Sequence, residues 1–276
     1  MVACNKYSFN KRVWATRPAA QNRIWKQLLL SRGCQVLEIP LLEIVKVNDR
    51  RDQQRIKDKI INLDQYQGVI FVSQNAAALA FEWIDELWPQ IPTQLNFYAI
   101  GKRTASVIEE HLSSRGEAAN LIALADNKSA MDSEAFLHLL SDREIRGEKY
   151  LIGRGKGGRP LLAQELEKRG AKVDYCELYE RVLPATANKQ MEAIQLDPCN
   201  DIITLFSGET LQNLLSVFNR NKMENWQTIP VVVPGARVVS IAQAAGFNHI
   251  ISATNATDEA MWSALEQYLT ADQYDQ

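Results

Sequence analysis

The chain has 276 residues, 46% apolar and 23% charged, which is enough for one large domain or for two that each bury a core. A formal net charge of −2 leaves no basic surplus for neutralising nucleic-acid phosphates, though a local basic pocket for an acidic small molecule remains open. No stretch approaches the roughly 18 continuous apolar residues of a membrane span, and "MVACNKYSFNKR" lacks a signal-peptide core, so a soluble, cytoplasmic protein is expected.

Strand-like runs and helical patterns alternate from the start. "RVWAT" (12–16) precedes the helical "QNRIWKQLLLSRG" (21–33), and a long extended run, "QVLEIPLLEIVKV", covers 35–47. "GVIFVS" (68–73) and "LNFYAIG" (95–101) each lead into a helix, at 77–87 and 103–112. "NLIALA" (120–125) is followed by a helical pattern at 133–142, and "KYLIG" (149–153) by "RPLLAQELEKRG" (159–170) and "KVDYCELYERV" (172–182). The last third reads "DIITLFS" (201–207), helix 209–218, "TIPVVVPG" (228–235), helix 237–247, "HIISAT" (249–254) and helix 258–269. Nearly continuous apolar strands between helices predict α/β architecture with parallel sheets covered on both faces. Cys4, Cys34, Cys176 and Cys199 are too scattered for a zinc site or a disulfide framework and read as reduced thiols. His111, His138 and His249 are equally dispersed and read as structural.

The chain also resembles itself. Trp14–Val45 aligns without gaps on Leu151–Val182 at an offset of 137, which pairs Arg17 with Arg154 and Gly33 with Gly170. "VIFVSQNAAAL" and "ITLFSGETLQN" pair at an offset of 134, and the same offset sets Gly101 against Gly235. Two similarly built halves facing a cleft are therefore expected. "EIPLLEIVKV" (38–47) and "CELYERVLP" (176–184) break the alternation at equivalent places and suit segments that cross between domains.

In open α/β sheets ligands bind beyond the carboxyl ends of strands, beside helix N-termini. The loops at those ends contain Arg17, Ser73, Thr104, Arg154, Lys156, Gly157, Ser207, Gly208 and Gly235, a basic and hydroxyl-rich set suited to oxyanions. Ser73, Thr104 and Ser207 could equally be helix caps, and Gly101 and Gly235 could simply permit tight turns. "IGRGKGGR" (152–159) matches the dinucleotide pattern G-x-G-x-x-G, with Asp174 and Glu177 in the region of the ribose-binding acid. Its basic residues are unusual for that role, and the matching turn "TRPAAQ" keeps only the arginine, so an anion cradle is the preferred reading. Tyr179, in the crossing segment, could offer a phenolic proton or could pack where two domains meet. No nucleophile elbow, P-loop or H-E-x-x-H signature is present.

Taken in order, "WATRPAAQNRIWKQLLLSRGCQVLEIPLLEI", "VIFVSQNA", "YAIGKRTA", "GRGKGGRPLLAQELEKRGAKVDYCELYER" and "LFSGETLQNLL" resemble the uroporphyrinogen-III synthase family, from about Val13 to Leu269. The resemblance implies two flavodoxin-like α/β domains, 1–43 plus 181–276 and 44–180, joined by a two-stranded β connector near 38–47 and 176–184. It implies cyclisation of hydroxymethylbilane, a linear tetrapyrrole with eight carboxylates, to uroporphyrinogen III, with loss of water and inversion of the last ring. No metal or organic cofactor is implied. A monomer is expected, with at most transient contact with hydroxymethylbilane synthase. Tyr179 matches the family's candidate proton donor, and Thr104, Ser207 and Ser73 match its loop hydroxyls. The chain departs from the family in "GARVV", where Val238 stands at the usual threonine; either a polar contact is lost or Arg237 replaces it. An inactive relative serving as a binding or regulatory module is the alternative.

Overall fold

A strand flanked by two parallel neighbours and covered on both faces has no polar side to spare, and Val231–Pro234, "VVVP", is such a strand. The computed structural model describes residues 11–117, 120–123, 136–137 and 143–274; Cys4, His138 and most of the helix expected at 133–142 lie outside them. The chain divides into two compact units, one comprising 1–43 and 182–276, the other 44–181.

In the first unit the strands are β1 (Arg12–Ala15), β2 (Gln35–Glu38), β9 (Asp201–Thr204), β10 (Val231–Pro234) and β11 (Ile250–Ala253), in spatial order β2-β1-β9-β10-β11 with every pair parallel. The helices are α1 (Ala19–Ser31), α6 (Thr186–Glu192), α7 (Gly208–Arg220), α8 (Gly235–Ala245) and α9 (Asp258–Tyr274). Alternate residues face opposite layers. Trp14, Ile203 and Val231 pack with Leu211 and Phe218, while Val13, Ile202 and Val232 pack with Trp25, Leu29 and Trp262.

In the second unit the order is β3 (Glu43–Lys46), β8 (Lys172–Val182), β7 (Lys149–Gly155), β4 (Gly68–Phe71), β5 (Asn96–Ala99) and β6 (Asn120–Ala123). Its helices include α2 (Arg50–Ile61), α3 (Gln74–Leu87), α4 (Lys102–Arg115) and α5 (Leu161–Lys168). With β7 and β8 standing where β1 and β2 stand in the first unit, five strands of each sheet follow the order 2-1-3-4-5, a flavodoxin-like arrangement, and β3 adds a sixth strand beyond β8 in the second unit. That order reverses between β1 and β9 and between β7 and β4, which is where such folds bind ligands.

The structure departs from the sequence reading in three places. The extended run at 35–47 is broken: Ile39 and Leu41 donate backbone N–H bonds to Ala15 and Thr16, Pro40 between them has no N–H, and strand pairing resumes only at Glu43. The segment Arg50–Ile61 is a helix that its polarity conceals, since only Ile56 and Ile60 are buried; the Asp49 carboxylate caps it by accepting from the Arg51 and Asp52 amides. Helix α5 starts at Leu161, well after the glycine-rich turn. Among the described residues no helix is long and apolar enough to cross a membrane.

Candidate active site

The switch point of the second unit is built from the end of β7, the start of α3 and the outer half of β8. Strands β7 and β8 pair in regular register up to Arg154 against Glu177; Gly155 then pairs with Tyr179, leaving Leu178 unopposed as a bulge. A bulge reverses the alternation of side chains. Tyr175 faces the layer of Ile152 and Leu162, whereas Cys176, Leu178 and Tyr179 all join the layer of Phe71, Phe81 and Ile108. The bulge thereby turns Tyr179 toward the N-terminus of α3. Its ring is almost fully buried, and its Oη lies 3.1 Å from Ser73 Oγ. Ser73 is the N-cap of α3 and accepts a 3.1 Å bond from the Ala76 amide. Two residues 106 apart in sequence, both candidates, are thus brought together. Cys176, also in this layer, has its thiol pushed up to about 12 by burial and is inert as a nucleophile.

The glycines of "IGRGKGGR" do not form a phosphate-binding helix start. Gly153 and Gly155 lie within β7, where a Cβ on Gly153 would come within 2.6 Å of the Phe71 ring and one on Gly155 within 2.5 Å of the Tyr179 ring. Only Gly157 has a left-handed backbone, with φ 69° in the turn. Gly153 and Gly155 make room for aromatic side chains.

Arg154 and Lys156, two of the basic residues of the turn, have internal partners. Arg154 is buried, lies 4.0 Å from the centre of the Tyr175 ring, donates to the Gly158 carbonyl at 2.8 Å and pairs with Glu177 at 3.4 Å. Lys156 pairs with Glu180 at 2.6 Å and with Asp52 at 2.7 Å, and those bonds hold its ammonium above the usual lysine range and the Asp52 carboxyl below the usual aspartate range. Asp52 and Glu180 escaped the sequence reading. Asp52 lies on the unrecognised helix α2, and nothing local in either segment announces the pairing.

In the first unit Arg17 follows β1. Its guanidinium stacks 3.6 Å from the centre of the Phe206 ring, pairs with Asp258 at the start of α9 and donates to the Ala256 carbonyl at 3.0 Å. Asp258, 241 residues away, also escaped the sequence reading. Ser207 caps α7 as Ser73 caps α3, with nearly the same backbone (φ −161°, ψ 160°), and its Oγ accepts from the Thr210 amide. Gly208 is buried, and a Cβ there would approach Ile241 to 3.1 Å. Gly235 opens α8 with φ 67°, and no side chain caps that helix. Ser207, Gly235, Arg237, Val238 and Asn255 line a concavity of about 380 Å³ at the carboxyl ends of β9, β10 and β11. Of the candidate set, Ser207 and Gly235 share this concavity, with Gly208 following at the start of α7; Arg17 is next to it through Phe206.

Thr104 occupies in α4 the place Val238 occupies in α8. Its Oγ donates at 3.1 Å to the Ile100 carbonyl, and the side chain is buried. The hydroxyl is engaged in its own helix start, and Val238 fills the same buried place with a methyl group. Among the described residues, no three His, Cys, Asp or Glu side chains gather as a metal site.

A family model described as "Uroporphyrinogen-III synthase HemD" matches residues 24–263. The uroporphyrinogen-III synthase of Salmonella typhimurium is 30% identical over 257 residues, which are 91% of this chain and 98% of that protein. The Escherichia coli protein of the same name is 27% identical over 262 residues, covering 92% and 99%. Among solved structures, a mutant uroporphyrinogen III synthase of Thermus thermophilus superposes with a TM-score of 0.59 at 15% identity, over 95% of this chain and 98% of that one. Uroporphyrinogen-III synthetase of Helicobacter pylori gives 0.57 at 18% identity, over 95% and 99%. At such identities the structural matches establish the fold, and the family model and sequence relatives go further: the chain belongs to the uroporphyrinogen-III synthase family.

Proposed function

We propose that the protein is a cyclising carbon–oxygen lyase that closes hydroxymethylbilane to uroporphyrinogen III, with loss of water and inversion of the last pyrrole ring. An electron-rich pyrrole expels a protonated hydroxyl readily and leaves an azafulvene cation. The enzymatic task is then one proton delivered at the leaving oxygen and a folded chain that favours inversion over direct closure.

The observation that carries this reading is the Tyr179 phenol, turned by a bulge toward Ser73 at the start of α3. A phenol can deliver a proton to a hydroxyl that departs as water. The substrate carboxylates would be met at helix N-termini, with Ser207, Gly208 and Gly235 around the concavity of the first unit as the leading contacts. Arg17, Arg154 and Lys156 already pair with protein carboxylates, so they shape the loops and set the local field more than they offer free cations.

Val238, a buried methyl-bearing side chain where the family's threonine is expected, favours a second reading, a protein of this fold that serves as a binding or regulatory module without synthase activity. Hydroxymethylbilane generated in situ, followed by separation of isomers I and III, distinguishes the two. Isomer III well above background supports the synthase; isomer I alone, the product of spontaneous closure, contradicts it.

A further inference from the structure

Either hydroxyl of the 3.1 Å Ser73–Tyr179 contact can be the donor, and only one of the two choices leaves the phenolic proton free for a substrate. Ser73 Oγ has one hydrogen to give and two lone pairs, and the Ala76 amide at the start of α3 already occupies one lone pair. The serine hydrogen can therefore go to the Tyr179 oxygen, 3.1 Å away, which keeps the phenol's own proton free for the substrate. Once the phenolic proton is gone, the same serine hydrogen is donated to the phenolate. The serine itself is polarised by the amide of a 14-residue helix whose N-terminus carries partial positive charge.

We propose that Ser73 is a positioning residue for Tyr179: it fixes the phenol and, after proton transfer, donates to the phenolate, linking it to the α3 N-terminus. This rests on the reading of Tyr179 as the proton donor. In the step, the Tyr179 O–H bond breaks as its hydrogen goes to the substrate hydroxyl, the carbon–oxygen bond breaks, and water leaves. The proton released when the cyclised cation regains its neutral pyrroles returns to the phenolate, so only water is lost overall. The geometry supports this role over direct binding of a substrate carboxylate, because the hydroxyl is shared between an amide of its own helix and the buried phenol.

The test is a cycle of Ser73→Ala, Ser73→Thr, Tyr179→Phe and Ser73→Ala/Tyr179→Phe, with kcat and KM read on isomer III and melting temperature as the folding control. Removing a hydrogen bond to a charged oxygen typically costs about 10- to 100-fold. Ser73→Ala is therefore expected to lower kcat by ~10- to 100-fold in the native background, to leave KM nearly unchanged, and to add nothing once Tyr179 is Phe. Ser73→Thr should restore most of the loss. In tyrosine-labelled protein, the Tyr179 13Cζ resonance should shift in Ser73→Ala and return in Ser73→Thr, an outcome independent of turnover. A loss equal in both backgrounds, a change confined to KM, or an unmoved resonance overturns the role of Ser73. Full activity in Tyr179→Phe overturns the proton-donor reading itself, and the two failures are separable.

Discussion

Gly155→Ala places the smallest possible obstacle under the Tyr179 ring. Gly155 is not among the positive-φ glycines, so its backbone accepts alanine without strain and the whole effect falls on the ring. The new Cβ would lie 2.5 Å from Tyr179 Cε2 and 2.7 Å from Cζ, against the 3.4 Å at which ordinary contact begins. Either the ring or the strand must yield by about 0.9 Å, the difference between 3.4 and 2.5 Å. Overpacking of this kind costs about 1–3 kcal/mol. Displacing a catalytic group by about 1 Å costs on the order of 100-fold in rate. The expected variant folds, loses stability in that range by urea denaturation, and loses kcat for isomer III by roughly two orders of magnitude. Gly157→Ala is the control: nothing lies within 4 Å of its Cβ, but φ is 69°, so it should lose about 1–2 kcal/mol from left-handed strain and little activity. Unchanged kcat in Gly155→Ala, or an equal loss in Gly157→Ala, would refute the claim that the glycine of this strand sets the position of the phenol.

Other consequences can be measured in parallel. Arg17→Met strands the Asp258 carboxylate, whose side chain is 10% exposed, and should lower unfolding free energy by about 3–5 kcal/mol; a change below about 0.5 kcal/mol, typical of a surface site, would show that Arg17 is no strut. Asp52 has its folded pKa depressed, chiefly by its hydrogen bond from Lys156, so the unfolded state takes up its proton first and the contribution fades as pH falls through the acid range. Asp52→Asn should therefore flatten the acid limb of the stability curve; an unchanged limb would remove the Lys156–Asp52 pair from the account. Val238→Thr should change KM by less than about twofold, under 0.5 kcal/mol, because the added hydroxyl has its own helix start to bond, as Thr104 does with Ile100. A large gain in affinity would reinstate that position as a substrate contact.

What could be read from the sequence was what local chemistry repeats. Ser73 and Ser207 stand at equivalent helix starts because a strand that ends in a hydroxyl before a helix has one preferred cap, and the structure gives both residues nearly the same backbone. Alternating parallel strands were legible because burial on both faces leaves continuous apolar runs such as "VVV". Arg17–Asp258 and Lys156–Asp52 were not, since pairs so distant in sequence leave no periodic trace. The glycines of "IGRGKGGR" were misleading for a related reason. Gly153 and Gly155 are there because of the Phe71 and Tyr179 rings on neighbouring strands, and that cause depends on sheet register. The Leu178 bulge, which decides where Tyr179 points, is invisible without that register.

Tyr179 is expected to deliver the proton that releases water from the bilane. Single-turnover conversion of hydroxymethylbilane by the wild-type protein and by Tyr179→Phe, with isomers I and III separated and both proteins shown to melt alike, tests it most directly. The variant is expected to fold yet to form isomer III at least ~100-fold more slowly, so that spontaneous isomer I prevails. Equal rates of isomer III formation by the two proteins would contradict it.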